Sequence, residues 1–249
     1  MATAGQAAFC TIIAKNYLAY ARVLTRSLRR HHPGVDVYVL LADEIEGCFD
    51  PAQEEFTLLS LHDLDLPSPR EFCFRYDVVE LSTAVRPFLL RRLFARGYMQ
   101  VVYIDPDIRV YHPLTEALAL LADQRVVLTP HRTRLGDADA LPIERRLLLC
   151  GAYNLGFLAV ARHADVDRLL AWWSERCEQH CLIDPANGLF VDQRWMDLAP
   201  GMADGVCILR HPGYNVAYWN IDQRAVGHSA EAPVVEGGPL VFLQVRTVA

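Results

Sequence analysis

Nowhere in the 249 residues does an uninterrupted apolar run approach the roughly 18 residues needed to cross a bilayer. The opening Met1-Ala2-Thr3-Ala4-Gly5-Gln6 has neither a basic start nor an apolar h-region, so the sequence reads as a cytoplasmic protein. Lysine is nearly missing, with Lys15 the single example, which fits the GC-rich coding of a bacterial genome and carries no functional information. The arginine pairs Arg29-Arg30, Arg91-Arg92 and Arg145-Arg146 are too dispersed for a membrane-binding patch. With 24 Lys+Arg against 30 Asp+Glu and a formal charge of −6, no basic footprint for a nucleic-acid backbone exists. The seven cysteines are odd in number, scattered and form no C-x-x-C, so neither a disulfide framework nor a zinc knuckle is indicated. Most are expected as buried, inert thiols. Hydrophobic residues make up 52% of the chain and charged ones 22%, enough for one sizeable core and too apolar for a disordered polymer.

What is present alternates between two periods. Phe9 to Ala14 is a nearly continuous β-compatible run. Tyr17 to Arg30 follows with Leu18, Ala21, Leu24 and Leu28 at helical spacing, and after Pro33-Gly34 comes a second run, Val35 to Leu41. This is a βαβ start with strands of the buried, parallel kind. Glu55 to Leu59 reads as a short third strand, followed by a Pro-containing loop. Tyr76 to Arg96 reads as one long helix stopped by Gly97. Further on, Met99 to Ile104 and Arg125 to Thr129 read as strands, Leu114 to Leu121 as a short helix, and His131 to Leu141 as a mobile loop over a crevice. Ala152 to Val160 completes the strands, and Val166 to His180 and Asp192 to Leu198 read as helices. With no repeat, low-complexity segment or linker, residues 1–249 read as one α/β domain.

The strand Met99 to Ile104 runs straight into Asp105-Pro106-Asp107. In open α/β sheets the ligand crevice lies at the carboxyl ends of the strands, so two carboxylates there are placed for function. A hard divalent cation accepts one or two protein carboxylates when phosphate oxygens complete its shell, which fits Mn²⁺ or Mg²⁺ on a diphosphate. The bland alternative is a polar strand end whose aspartates cap the next segment. For Asp192 helix capping is an equal alternative. His131, His163, His180 and His228 read as surface groups, and Trp172-Trp173 as a core helix face. Trp219 reads either as packing or as a platform for a sugar ring.

Several segments, taken in order over roughly residues 9 to 220, resemble the retaining GT-A glycosyltransferases of the glycogenin and bacterial galactosyltransferase group, family 8 among glycosyltransferases. The opening strand with Thr11 and Ile12, followed by Ala14-Lys15-Asn16-Tyr17, resembles that group's uridine-binding start. Ser82 to Pro87 resembles the segment whose basic residue, here Arg86, reaches the nucleotide. Asp105-Pro106-Asp107 resembles the metal-binding D-x-D, Asn154-Leu155-Gly156 an N-x-G sugar strand, Val191-Asp192-Gln193 the D-Q pair under the sugar, and Tyr214-Asn215 a later Y-N element. The resemblance implies a GT-A-like, Rossmann-like fold with a mostly parallel central sheet flanked by helices. It also implies a nucleotide-sugar donor, UDP-linked above all, and a saccharide or other hydroxyl acceptor. Asp105 and Asp107 would hold the metal, Asn154, Gly156, Asp192 and Gln193 the sugar, and Asp192 and Gln193 would carry the chemistry with retention of configuration.

One position departs. The group's third metal ligand is a histidine after an apolar lead-in near the C-terminus, and here Pro239 to Leu243 leads to Gln244. An amide oxygen is a poorer ligand than imidazole. His211, just before Tyr214-Asn215, is the nearby histidine available to stand in, and it equally suits the start of the Pro212-Gly213 turn. Gln244 and the early end of the chain leave open a scaffold that binds without turnover. A sugar-phosphate nucleotidyltransferase is disfavoured because its Gly-rich phosphate loop should follow the first strand, where Lys15-Asn16-Tyr17 stands.

Overall fold

The computed structural model describes residues 7–229 and 232–245. Its first half runs β1 (Ala7–Ile13), α1 (Leu18–His31), β2 (Asp36–Leu41), β3 (Thr57–Ser60), α2 (Pro69–Arg75), α3 (Val78–Ala84), α4 (Arg86–Ala95), β4 (Gln100–Ile104), β5 (Ile108–Val110), α5 (Thr115–Leu120) and β6 (Val126–Pro130). The second half runs α6 (Leu141–Cys150), β7 (Tyr153–Ala161), α7 (Ala164–Gln179), β8 (Ile183–Asp184), β9 (Leu189–Phe190), α8 (Gln193–Met196), α9 (Ala199–Met202), β10 (Val206–Ile208), β11 (Val226–His228), β12 (Pro233–Val235), β13 (Gly238–Pro239) and β14 (Phe242–Gln244).

Seven strands form the central sheet in the order β10-β6-β7-β4-β1-β2-β3. Every neighbouring pair is parallel except β4–β7 and β6–β7, where β7 runs against both. Both faces are covered, as the unbroken apolar strands require. Along β1, Ala8, Cys10 and Ile12 join the core under α3, α4 and α7, while Phe9 and Ile13 join the one under α1 and α5. The same two-residue period divides β4: Val101 and Tyr103 face the α4 side, Val102 and Ile104 the α1 side.

Five readings from sequence need correction. The helix expected over Tyr76 to Arg96 is two, because Pro87 has no N–H and its ring crowds the preceding turn, so α4 restarts with Arg86 in its first turn. The Pro-containing loop holds α2, started by Pro69, and the segment before β7 holds α6. His131 to Leu141 is not a free loop at its start. Arg132 pairs with Asp222, and the Gln223 amide exchanges hydrogen bonds with the backbone of Thr133 and Arg134. His131 is buried rather than on the surface, and only Cys10, Cys177 and Cys181 of the seven thiols are buried. Among the described residues, no helix is long and apolar enough to cross a membrane.

Candidate active site

The carboxyl ends of β1 and β4 meet at one edge of the sheet, and a cavity of ≈ 220 Å³ opens there. Ala14, Asn16 and Tyr17 wall it from the turn after β1, Ser82 and Arg86 from α3 and α4, and Asp105 to Asp107 from the turn between β4 and β5. Ile12 also lines it. Thr11 does not; its side chain is fully buried. Asp43, not singled out from sequence, accepts the Lys15 backbone N–H at 3.0 Å and so fixes the turn that carries Tyr17.

Arg86 is the electrostatic centre. Buried to 3% exposure, it stacks its guanidinium carbon 4.1 Å above the Tyr103 ring and faces Asp192 Oδ2 at 2.8 Å and Asp105 Oδ1 at 3.5 Å. Burial works against its charge, but the facing Asp192 and Asp105 carboxylates more than offset this and keep it protonated. Tyr103 donates its hydroxyl to Asp105 Oδ1 at 2.8 Å. Tyr103 was missed from sequence, although its place two residues before Asp105 on the same strand face was the available signal.

Asp192 is 1% exposed. It makes no helix-capping bond, which sets the capping alternative aside, and neither carboxylate oxygen has a hydrogen bond of good geometry. The ion pair with Arg86 is thus a close contact with poorly aligned N–H groups. Burial pushes the Asp192 carboxyl up to about 7 against the pull of Arg86, with Asp105 adding to the rise. The preceding Val191 has φ +44°, a left-handed backbone that costs a β-branched residue strain, and Trp173 donates its indole N–H to the Asp192 carbonyl at 3.0 Å.

The amides expected to hold a sugar are committed to the protein. Gln193 accepts from Leu155 N and donates to the Cys150 carbonyl; Asn154 accepts from Gly156 N and donates to Asn215 Oδ1 and Gln244 Oε1. Gly156 is glycine for space: a Cβ there would stand 2.7 Å from Gln244 Oε1 and 2.9 Å from Asp105 Oδ2.

A second cavity of ≈ 180 Å³ adjoins Gln193. Phe190, Arg146, His131, Tyr218 and Trp219 line it, the last two rings 5.0 Å apart. His131 Nδ1 and Trp219 Nε1 are buried there without hydrogen-bond partners. Burial lowers His131 to about 4, so the imidazole is neutral at physiological pH.

The architecture has counterparts among known proteins. Among solved structures it matches the galactosyltransferase LgtC, in complex with donor and acceptor sugar analogues, with a TM-score of 0.58 at 18% identity over 97% of this chain and 87% of LgtC. The chain has the GT-A glycosyltransferase fold. The same fold is seen in the glycosyltransferase GlyE of Streptococcus pneumoniae TIGR4, at a TM-score of 0.52 and 17% identity over 84% of this chain and 47% of GlyE. No family model matches the sequence. Among curated proteins, the chain is 26% identical over 241 residues to the uncharacterized protein YfnF of Bacillus subtilis (strain 168), covering 94% of this chain and 79% of YfnF. Its likeness to YfnD of the same organism is 22% over 240 residues, 94% of this chain and 75% of YfnD.

In the GT-A fold a nucleotide-sugar donor and a divalent metal are the general expectation, and the Asp105–Asp107 pair can be tested for fit. Asp105 Oδ2 and Asp107 Oδ1 converge on one point, each 3.1 Å from Gln244 Nε2. Two converging carboxylate oxygens suit a hard cation that shares a diphosphate. Burial and the neighbouring Asp105 raise Asp107 to about 7, as the cost of holding two carboxylates without a full counter-charge requires. Gln244 does not fit as a ligand in the orientation it has, since it presents N–H rather than oxygen. His211 does not fit either: its Nδ1 accepts from Gly213 N at 3.1 Å, closing the Pro212-Gly213 turn. Among the described residues no three His, Cys, Asp or Glu side chains are grouped to hold a metal ion.

Proposed function

We propose that the chain, acting as a single catalytic domain, is a retaining glycosyltransferase that moves a sugar from a UDP-sugar to a saccharide or other hydroxyl acceptor. The observation that carries this reading is the Asp105–Asp107 pair lining a cleft of ≈ 220 Å³, with the buried Asp192 held in an ion pair by Arg86, which also faces Asp105. Transfer breaks the bond between sugar C1 and a phosphate oxygen, leaving negative charge on the diphosphate and positive charge on the sugar. Tyr17 stacks on the base, and Asp105 and Asp107 would hold Mn²⁺ or Mg²⁺, whose chemistry is to neutralise the leaving diphosphate. Asp192 accepts from sugar hydroxyls and faces the developing positive charge at C1. Arg86, which walls the same cavity, holds Asp192 and Asp105 in place and brings its charge to the side of the leaving diphosphate. Asn154 and Gln193 shape the sugar's floor through the backbone they brace.

The acceptor is assigned to the second cavity. The Trp219 and Tyr218 rings offer apolar faces to a pyranose, and the unpartnered His131 Nδ1 and Trp219 Nε1 offer one acceptor and one donor to hydroxyls. The test is calorimetry with UDP, with and without Mn²⁺, on wild type and Asp107→Ala, followed by donor hydrolysis and transfer assays over a panel of UDP-sugars. Metal-dependent UDP binding that is lost in the variant, together with turnover, supports the reading. Metal-dependent binding with no turnover favours the second reading, a nucleotide-sugar-binding scaffold, for which the Gln244 amide lying across the carboxylates speaks. Absence of UDP binding under both conditions removes both.

A further inference from the structure

Gln244 enters the site from β14, which pairs with β5 directly beyond Asp107 and sets Gln244 opposite Ile108. Its side-chain orientation is dictated from two backbone anchors. Asn215 Nδ2 donates to the Pro130 carbonyl at 2.9 Å, and a carbonyl only accepts, so Asn215 Oδ1 must face Asn154. Gly156 N donates to Asn154 Oδ1 at 3.1 Å, and an N–H only donates, so the Asn154 NH₂ must point at Asn215 Oδ1, 2.6 Å away, and Gln244 Oε1, 2.8 Å away. Gln244 Oε1 is then spoken for and its NH₂ is left to bridge Asp105 Oδ2 and Asp107 Oδ1. Turning the amide over would set NH₂ against NH₂ at Asn154 and a third oxygen against two carboxylates. Backbone reinforces the lock: Gln244 N donates to the Val216 carbonyl at 2.9 Å, next to Asn215, whose φ of +54° presents its side chain to Asn154.

We infer that Gln244 is a built-in competitor of the divalent cation: its amide NH₂, locked by Asn154 and Asn215, bridges Asp105 and Asp107, and a cation enters by displacing it. The inference rests on the metal-dependent reading above and deepens it. Asn154 and Asn215 are positioning residues here, acting through Gln244. The bridge leaves the metal-free site folded and partly compensated, and it makes cation binding weaker than the two carboxylates alone would give. Breaking this bridge of long, 3.1 Å hydrogen bonds carries roughly a tenfold penalty in affinity.

The experiment titrates Mn²⁺ alone into wild type, Gln244→Met and Gln244→Ala by calorimetry, with thermal melts in EDTA and in Mn²⁺. The methionine variant keeps the volume without donor or hard ligand atom, and the alanine variant covers the case in which the thioether packs badly. The expected result is Mn²⁺ binding about tenfold tighter in both variants, a lower melting temperature in EDTA, and a larger rise on adding Mn²⁺. Were Gln244 a ligand through its oxygen, both variants would bind Mn²⁺ more weakly; that result, or unchanged affinity, overturns the inference while the metal-dependent function stands. If no protein binds Mn²⁺ with or without UDP, the functional reading falls and takes the inference with it.

Discussion

Arg86 Nη1 stands 2.8 Å from Asp192 Oδ2 with both side chains buried, yet the two belong to elements 106 positions apart in the chain. Proline-started α4 supplies one partner and the left-handed Val191 aims the other. Removing one member of such a pair leaves an uncompensated buried charge, which typically costs about 3–5 kcal/mol. Arg86→Met is therefore expected to lower the melting temperature by about 10 °C in a chain of this size, measured by calorimetric unfolding. A shift of only a degree or two would mean that the pair does not organise the site.

Asp107 gives a pH signature. Its folded value, about 7, lies above the ordinary carboxylate value of 3.8, so the folded state binds the extra proton between these limits and stability falls as pH rises through that window. Below pH 3.8 the group is neutral in both states and contributes nothing. Asp107→Asn should thus melt a few degrees higher than wild type at pH 8 in EDTA, and the gap should close near pH 4. A gap of equal size at both pH values would place its origin outside this carboxylate.

Gly156→Ala pushes a methyl group into Gln244 and Asp105, at 2.7 Å and 2.9 Å. Overpacking of this kind costs about 1–3 kcal/mol. The strain falls on the carboxylate pair, so metal-dependent UDP affinity is expected to drop by more than the loss of global stability explains. Calorimetry at a temperature where the variant is fully folded separates the two effects.

Trp219→Ala removes a ring and an indole N–H from the second cavity and leaves the Asp105–Asp107 side untouched. Steady-state kinetics with a responsive acceptor should show a raised acceptor KM at little cost in UDP affinity, the pattern of lost ground-state binding. A weakened UDP affinity with an unaltered acceptor KM would move the acceptor elsewhere.

Local patterns carried much of the fold. The two-residue alternation with both phases apolar announced buried strands, and β1, β2, β4, β6 and β7 lie within one or two residues of where the pattern put them. The reversal of β7 was not legible, because an antiparallel strand buried on both faces has the same composition as a parallel one. The helix break before Arg86-Pro87 was masked by the strong helical period on either side, although Pro87 marks it. Asp105-Pro106-Asp107 stood out because strand, turn and carboxylates are neighbours in sequence. Asp43 and the amide chain from Asn215 to Gln244 did not, since each owes its role to a partner far along the chain; Tyr103 was legible in principle, two residues before Asp105 on the same strand face.

By itself, then, the sequence determined which stretches are strands and helices and which edge of the sheet carries the carboxylates, because burial and backbone preference act over a few residues at a time. Only the tertiary structure decided what those groups do to one another. Tertiary packing turned Arg86 inward to Asp192, buried His131 beside Trp219, kept His211 at its turn, and faced the NH₂ of Gln244 toward Asp105 and Asp107. Hydrogen-bond direction and charge compensation are properties of groups brought together in space, and no local pattern encodes them.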